Sequence, residues 1–263
     1  MENITFEKKV SKGSKFNQIY IPKEMAEIVE VGDLVQIKLL EKYTEIYYKN
    51  QKKLLEFKEY LVREMFSSLN RFKEIKNIFI VGSFLEEDIY NDIDVIITIT
   101  ERKTLNKYTE HLERKIRDFL VKKFNQKFHI LIFNEEKLEK SIKIDPLIRV
   151  MFNNYVSNKE KKFDSKKIID KKHIRFLLMM PEDLLEISVS SKIFYNNLKR
   201  LIAIEIFLKN MDLNIKIISS QIENELETNL LNKIKNNDEI DEKEILVLRK
   251  IIKKKIERIK KII

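Results

Sequence analysis

Asp92 and Asp94 stand two residues apart in Asp92-Ile93-Asp94-Val95, at the head of an apolar run that continues to Ile99. On a β-strand alternate side chains share a face, so the two carboxylates project together while Ile93 and Val95 turn into a core. Acids held side by side repel each other unless a cation lies between them, and oxygen donors of this kind suit Mg2+. Upstream, Gly82-Ser83 follows the strand-like run Ile78-Phe79-Ile80-Val81. A turn there offers backbone N–H groups and a hydroxyl to phosphate oxygens. Together these residues would hold a metal-bound nucleoside triphosphate. The chemistry expected is in-line attack on the α-phosphate, with metal neutralising charge on the attacking and leaving oxygens.

Val81-Gly82-Ser83, a short loop, and then Asp92-Ile93-Asp94-Val95 resemble the signature of minimal nucleotidyltransferases of the DNA polymerase β superfamily, over roughly residues 60–140. The resemblance implies Asp92 and Asp94 as catalytic metal ligands and Gly82 and Ser83 as nucleotide-binding residues. It implies Mg2+ as cofactor, an NTP as substrate, and transfer of NMP to a hydroxyl on a protein, an RNA end or a small molecule. Two positions depart from the family. Its third carboxylate belongs on the next strand, but Phe128-His129-Ile130-Leu131-Ile132-Phe133-Asn134 contains no acid. His129 takes that place, and Glu135 and Glu136 come only at the strand's end. The loop after Ser83 reads Phe84-Leu85-Glu86-Glu87-Asp88, where relatives often carry Arg. Because Mg2+ prefers oxygen, one metal is expected to be held well and a second weakly. His111 and His173 read as surface or packing residues.

Several elements must position these groups. Leu54, Phe57, Leu61, Met65 and Leu69 recur at spacings of three and four, and no Gly or Pro interrupts residues 41–73, so one long amphipathic helix is expected there. Strands are expected over 77–81, 93–99 and 128–133, with a helix over 105–124 between the last two. From Pro146 onward the pattern is mostly helical. A helix start is expected at Pro181, and further helices over 193–210, 215–234 and 242–262.

The N-terminal stretch carries a second pattern. Ile4-Thr5-Phe6, Gln18-Ile19-Tyr20-Ile21 and the alternating Leu34-Val35-Gln36-Ile37-Lys38-Leu39 read as strands. Between the second and third, Pro22 opens a two-turn helix over 23–29, and Gly32-Asp33 turns the chain. Lys9-Val10-Ser11-Lys12-Gly13, Ile21-Pro22-Lys23-Glu24 and Gly32-Asp33-Leu34-Val35 resemble the swapped-hairpin DNA-binding domain of AbrB, SpoVT and MazE across residues 3–40. That resemblance implies an intertwined homodimer, since so short a piece buries no core alone. Lys8, Lys9, Lys12, Lys15 and Lys23 would then contact DNA phosphates. The family mostly uses Arg where this chain has Lys, which bears on bidentate base reading.

The chain's net charge of +10 suits a polyanionic partner, and residues 249–263 hold eight basic side chains against Glu257 alone. Zero cysteines exclude disulfides, thiolate metal sites and thiol catalysis. The longest apolar runs are too short to span a bilayer and no signal peptide is visible, so a cytoplasmic protein with no membrane partner is expected. The fold class expected is α+β: a small N-terminal swapped-hairpin β domain over 1–42, an amphipathic linker helix over 43–74, a central mixed-sheet nucleotidyltransferase core over 75–145, and a C-terminal helical bundle over 146–263. The function expected is a DNA-binding protein carrying a nucleotidyltransferase. The alternative is a transcriptional regulator or antitoxin whose nucleotidyltransferase domain is inactive or only senses nucleotide.

Overall fold

The computed structural model describes residues 6–25, 27–37, 44–50, 53–88, 90–100, 106–164, 166–187, 189–211 and 213–263. The chain divides into two compact units, Met1–Lys42 and Tyr43–Ile263.

In the first unit β1 (Ser11–Lys12) pairs antiparallel with β2 (Asn17–Gln18). The turn between them closes on Gly13, whose N–H donates to the Phe16 carbonyl at 3.0 Å. A Cβ at Gly13 would lie 2.5 Å from that oxygen, so only glycine fits. A 3₁₀ turn at Lys23–Met25 stands where two helical turns are expected, and residues 34–37 form no strand. The reason is packing. None of the unit's described residues is buried, and Val31 and Leu34 are fully exposed. Short amphipathic segments take their stability from an apolar face they can bury, and here there is none. Ile4-Thr5, Ala26 and Lys38-Leu39, parts of the expected strands and helix, lie outside the described residues.

The second unit is α+β. Its elements run β3 (Tyr47–Lys49), α1 (Glu56–Leu69), β4 (Ile75–Val81), α2 (Ser83–Glu86), β5 (Ile93–Ile99), α3 (Asn106–Phe124), β6 (Phe128–Asn134), α4 (Glu135–Ile144), α5 (Pro146–Met151) and β7 (Tyr155–Ser157). Helices α6 (Lys171–Asp183), α7 (Ser191–Leu208), α8 (Ile215–Glu225), α9 (Thr228–Asn236) and α10 (Glu242–Ile262) follow. The described strands form a five-stranded mixed sheet in the order β3-β7-β4-β5-β6. Of its pairs, β5–β6 is parallel, and α3 supplies the crossover that a parallel pair needs.

Alternation along the central strands divides the core. Ile78 and Ile80 of β4 join Ile93, Val95 and Ile97 of β5 under α1 and α3. Phe79, Val81 and Ile96 face the other way, onto Leu138, Ile142, Phe152 and Tyr155. A third apolar cluster joins helices α6 to α10.

Several expectations are corrected. The single helix over 41–73 is instead β3 followed by the shorter α1. Tyr47 and Tyr48 are aromatic residues that favour a pleated surface, and they pair with Ser157 and Val156. The mostly helical region after Pro146 contributes β7, where Val156 and Ser157 are fully buried between β3 and β4. The helix over 215–234 breaks at Leu226, which adopts an extended backbone (φ −121°, ψ 142°) and buries its side chain. Pro181 lies inside α6 rather than at a start. Asp170 caps that helix by accepting from the Lys172 and His173 amides, and the buried stripe Ile174, Leu177, Leu178 runs on to Pro181. Among the described residues no helix is long and apolar enough to cross a membrane.

Candidate functional site

Strands β4 and β5 run antiparallel with Val81 opposite Asp94, so Gly82 leaves β4 at the end where the acids stand. Asp94 is the second residue of β5, and Asp92 immediately precedes the strand. Gly82 has φ 82° and ψ −161°, a region essentially open to glycine alone. This conformation turns the chain into α2 and brings the backbone against Asp94. A Cβ at Gly82 would sit 2.4 Å from the Asp94 Oδ2. Ser83 begins α2, and its carbonyl accepts the Glu87 N–H at 2.8 Å. The four residues singled out in the sequence therefore gather at one end of the central strands β4 and β5.

His129 joins them. It lies opposite Asp94 across the parallel β5–β6 pair, and its Nδ1 is 2.9 Å from the Asp94 Oδ1. The hydrogen bond to Asp94 raises the imidazole's pKa. Partial burial opposes the rise, and the charges of Asp94, Asp92 and Glu113 add to it. A pKa raised by folding means the pairing contributes stability at pH below the ordinary imidazole range. That contribution fades as pH rises through the raised value.

Glu135 and Glu136 are not part of this site. The register places Ile99 opposite Asn134, so both glutamates start α4 at the far end of the sheet, roughly 20 Å from His129 at the rise of a strand. Glu135 is instead paired with Lys161 and Lys76, and these bonds hold its carboxyl below the usual carboxylate range. His173 bonds Asp145 at 2.9 Å, while His111 is exposed; both stand apart from the acids.

Among the described residues no group of three His, Cys, Asp or Glu is placed to hold a metal. The donors present are two carboxylates, one of them tied to an imidazole. That set fits a single hard cation completing its shell with water and phosphate oxygens. The bare Cα of Gly82 lets the Asp94 carboxylate pack directly against the turn.

Some neighbours of the site carry no signal in the sequence. Helix α3 brings Glu113 near enough for its charge to act on His129. The charge of Glu87, in the loop after Ser83, acts on Lys199 of helix α7. Burial chiefly lowers the Lys199 pKa, with the Glu87 charge opposing, and the Lys199 ammonium lies 4.5 Å over the Tyr195 ring. Helix α1 contributes Lys58, whose Nζ donates to the Glu87 carbonyl at 2.7 Å.

In the first unit Lys8, Lys9 and Lys23 line one open groove together with Glu7 and Glu24. Lys12 lies in β1 and Lys15 in the turn beyond it, outside that groove. All five lysines are exposed, but two acids share the groove of Lys8, Lys9 and Lys23.

No family model and no curated protein matches the chain. Among solved structures it is similar to a spectinomycin adenyltransferase from Enterococcus faecialis, determined with ATP and spectinomycin. Identity is 12%, the TM-score is 0.45, and the alignment covers 76% of this chain and 98% of that one. A likeness of that degree decides nothing about the site.

Proposed function

We propose that this chain binds a nucleoside triphosphate and one divalent cation at Gly82, Ser83, Asp92 and Asp94, and transfers NMP to a hydroxyl acceptor. The observation that carries the reading is the approach of the Gly82 backbone to the Asp94 carboxylate, with Gly82 in a conformation only glycine tolerates. Asp92 and Asp94 would hold Mg2+, which when bound supplies charge neutralisation on the phosphate oxygens. The Gly82-Ser83 turn orients the triphosphate. Incubation of the full chain with Mg2+ and labelled ATP, alone and with cell extract, tests the reading. It expects a labelled product. Absence of product with all four NTPs, together with absence of binding heat, sinks it.

A second reading rests on His129. Its hydrogen bond with Asp94 fills the place of a third acid, so the site would bind nucleotide without transferring it. The chain would then be a nucleotide-sensing regulator or antitoxin. Metal-dependent nucleotide binding that changes DNA affinity, with no labelled product, is the result that selects this reading.

For the first unit, we propose a swapped-hairpin dimer that binds DNA through its lysines. Support comes from its exposed apolar side chains, which a second copy would cover, and from the lysines on its surface. Replacing Lys12, Lys15 and Lys23 with Ala is expected to weaken DNA binding. The log–log salt slope should flatten by about one for each phosphate that is no longer neutralised. Unchanged affinity and slope would exclude this face, and sedimentation of the full chain as a monomer at micromolar concentration would exclude the dimer.

A further inference from the structure

Lys58 is an anomaly in this fold. It sits in the first turn of α1, is only 7% exposed, and has no acid within ion-pair distance among the described residues. Its Nζ donates to the Glu87 carbonyl at 2.7 Å and lies 5.4 Å and 5.5 Å over the rings of Phe84 and Tyr90. Those two rings meet edge to face at 4.9 Å. One ammonium thus gathers the start, middle and end of the segment joining the Gly82-Ser83 turn to Asp92.

A buried charge is costly, and burying an apolar side chain of the same length would serve packing as well or better. The Lys58 ammonium does something methionine would not. It satisfies the Glu87 carbonyl and draws two aromatic faces onto one point, closing the loop into a fixed shape. Asn154 Nδ2 also donates to the Glu86 Oε1 at 2.7 Å, a second tie on the same loop.

We propose that Lys58 is a positioning residue: it fixes the loop after Ser83, and so sets the spacing between the phosphate-binding turn and the paired acids. The proposal rests on the nucleotide-binding reading of that site.

Lys58→Met keeps the aliphatic stem and removes the ammonium, and Lys58→Arg keeps a cation. In the full-length Met variant the melting temperature is expected to stay level or rise. Amide hydrogen exchange across residues 83–88 should accelerate at least ten-fold while β4 and β5 are unchanged. Affinity for Mg2+ and ATP should fall at least ten-fold, with part of it recovered in the Arg variant. A merely structural lysine would instead lower the melting temperature and leave the remaining affinity per folded molecule intact. Unchanged loop exchange in Lys58→Met overturns the proposal, and so does faster loop exchange with wild-type nucleotide affinity. If the wild-type chain binds no nucleotide at all, the site reading fails, and the proposal fails with it whatever the exchange experiment shows.

Discussion

The double variant Asp92→Asn, Asp94→Asn is expected to lose all Mg2+-dependent nucleotide binding while remaining folded. Both side chains keep their size, and an amide oxygen at position 94 still accepts from the His129 Nδ1. What disappears is charge. A triphosphate beside two carboxylates is repelled unless a metal bridges them, and a metal without carboxylates has only neutral oxygens to hold it. The loss should therefore be complete in calorimetry with each of the four NTPs. Thermal unfolding without ligand should move by no more than a few degrees. A double variant that binds Mg2+-ATP like the wild type would remove these acids from the site.

Gly82→Ala is expected to be nearly as damaging by a different route. At φ 82° and ψ −161° an alanine costs about 1–3 kcal/mol of backbone strain. The new methyl would also sit 2.4 Å from the Asp94 Oδ2, an approach that real structures do not tolerate. Either the turn or the carboxylate must move, and both belong to the site. For a unit of this size, about 2 kcal/mol corresponds to a melting-point drop of roughly 4–8 °C, and nucleotide binding should fall below detection. Pairing Gly82→Ala with Asp94→Ala relieves the clash and leaves the strain, so part of the stability should return without any return of binding. Wild-type binding in Gly82→Ala would show that the close approach has no role.

The strand that carries Asp94 was legible because Ile93 to Ile99 is a short, mostly β-branched apolar run, which forms β5 buried on both faces with Asp94 at its head. Gly82 and Asp94 were visible as parts of one motif, although the reason for glycine, a Cβ with nowhere to go, lies in the fold. Other features stayed hidden for physical reasons. Three-residue strands such as β3 and β7 are set by their partners, and Tyr47 and Tyr155 are far apart in the chain. Lysines read as surface residues from sequence, yet Lys58 caps a loop and Lys255, 2% exposed, pairs with Glu225 at 2.6 Å and Glu205 at 3.3 Å inside the helical cluster. Glu135 and Glu136 stood at the strand's end in the sequence, and the parallel register of β5 and β6 puts that end away from the acids. The N-terminal pattern is periodic but buries no face among the described residues of one chain, so of its expected strands only Gln18 pairs and residues 34–37 stay irregular.

The interleaving of β7 between β3 and β4 limits how this protein can be cut. A fragment beginning at residue 75 and ending at 145 would carry both acids and the turn, yet it would leave β4 with a bare row of N–H and C=O groups along Phe79, Ile80 and Val81, where β7 had been. Such an edge recruits other chains, and the fragment would aggregate before its chemistry could be assayed. The smallest expressible piece that retains the sheet starts ahead of Tyr47 and runs past Ser157. In engineering terms the motif of the candidate site is contiguous in sequence, but the scaffold that displays it is not.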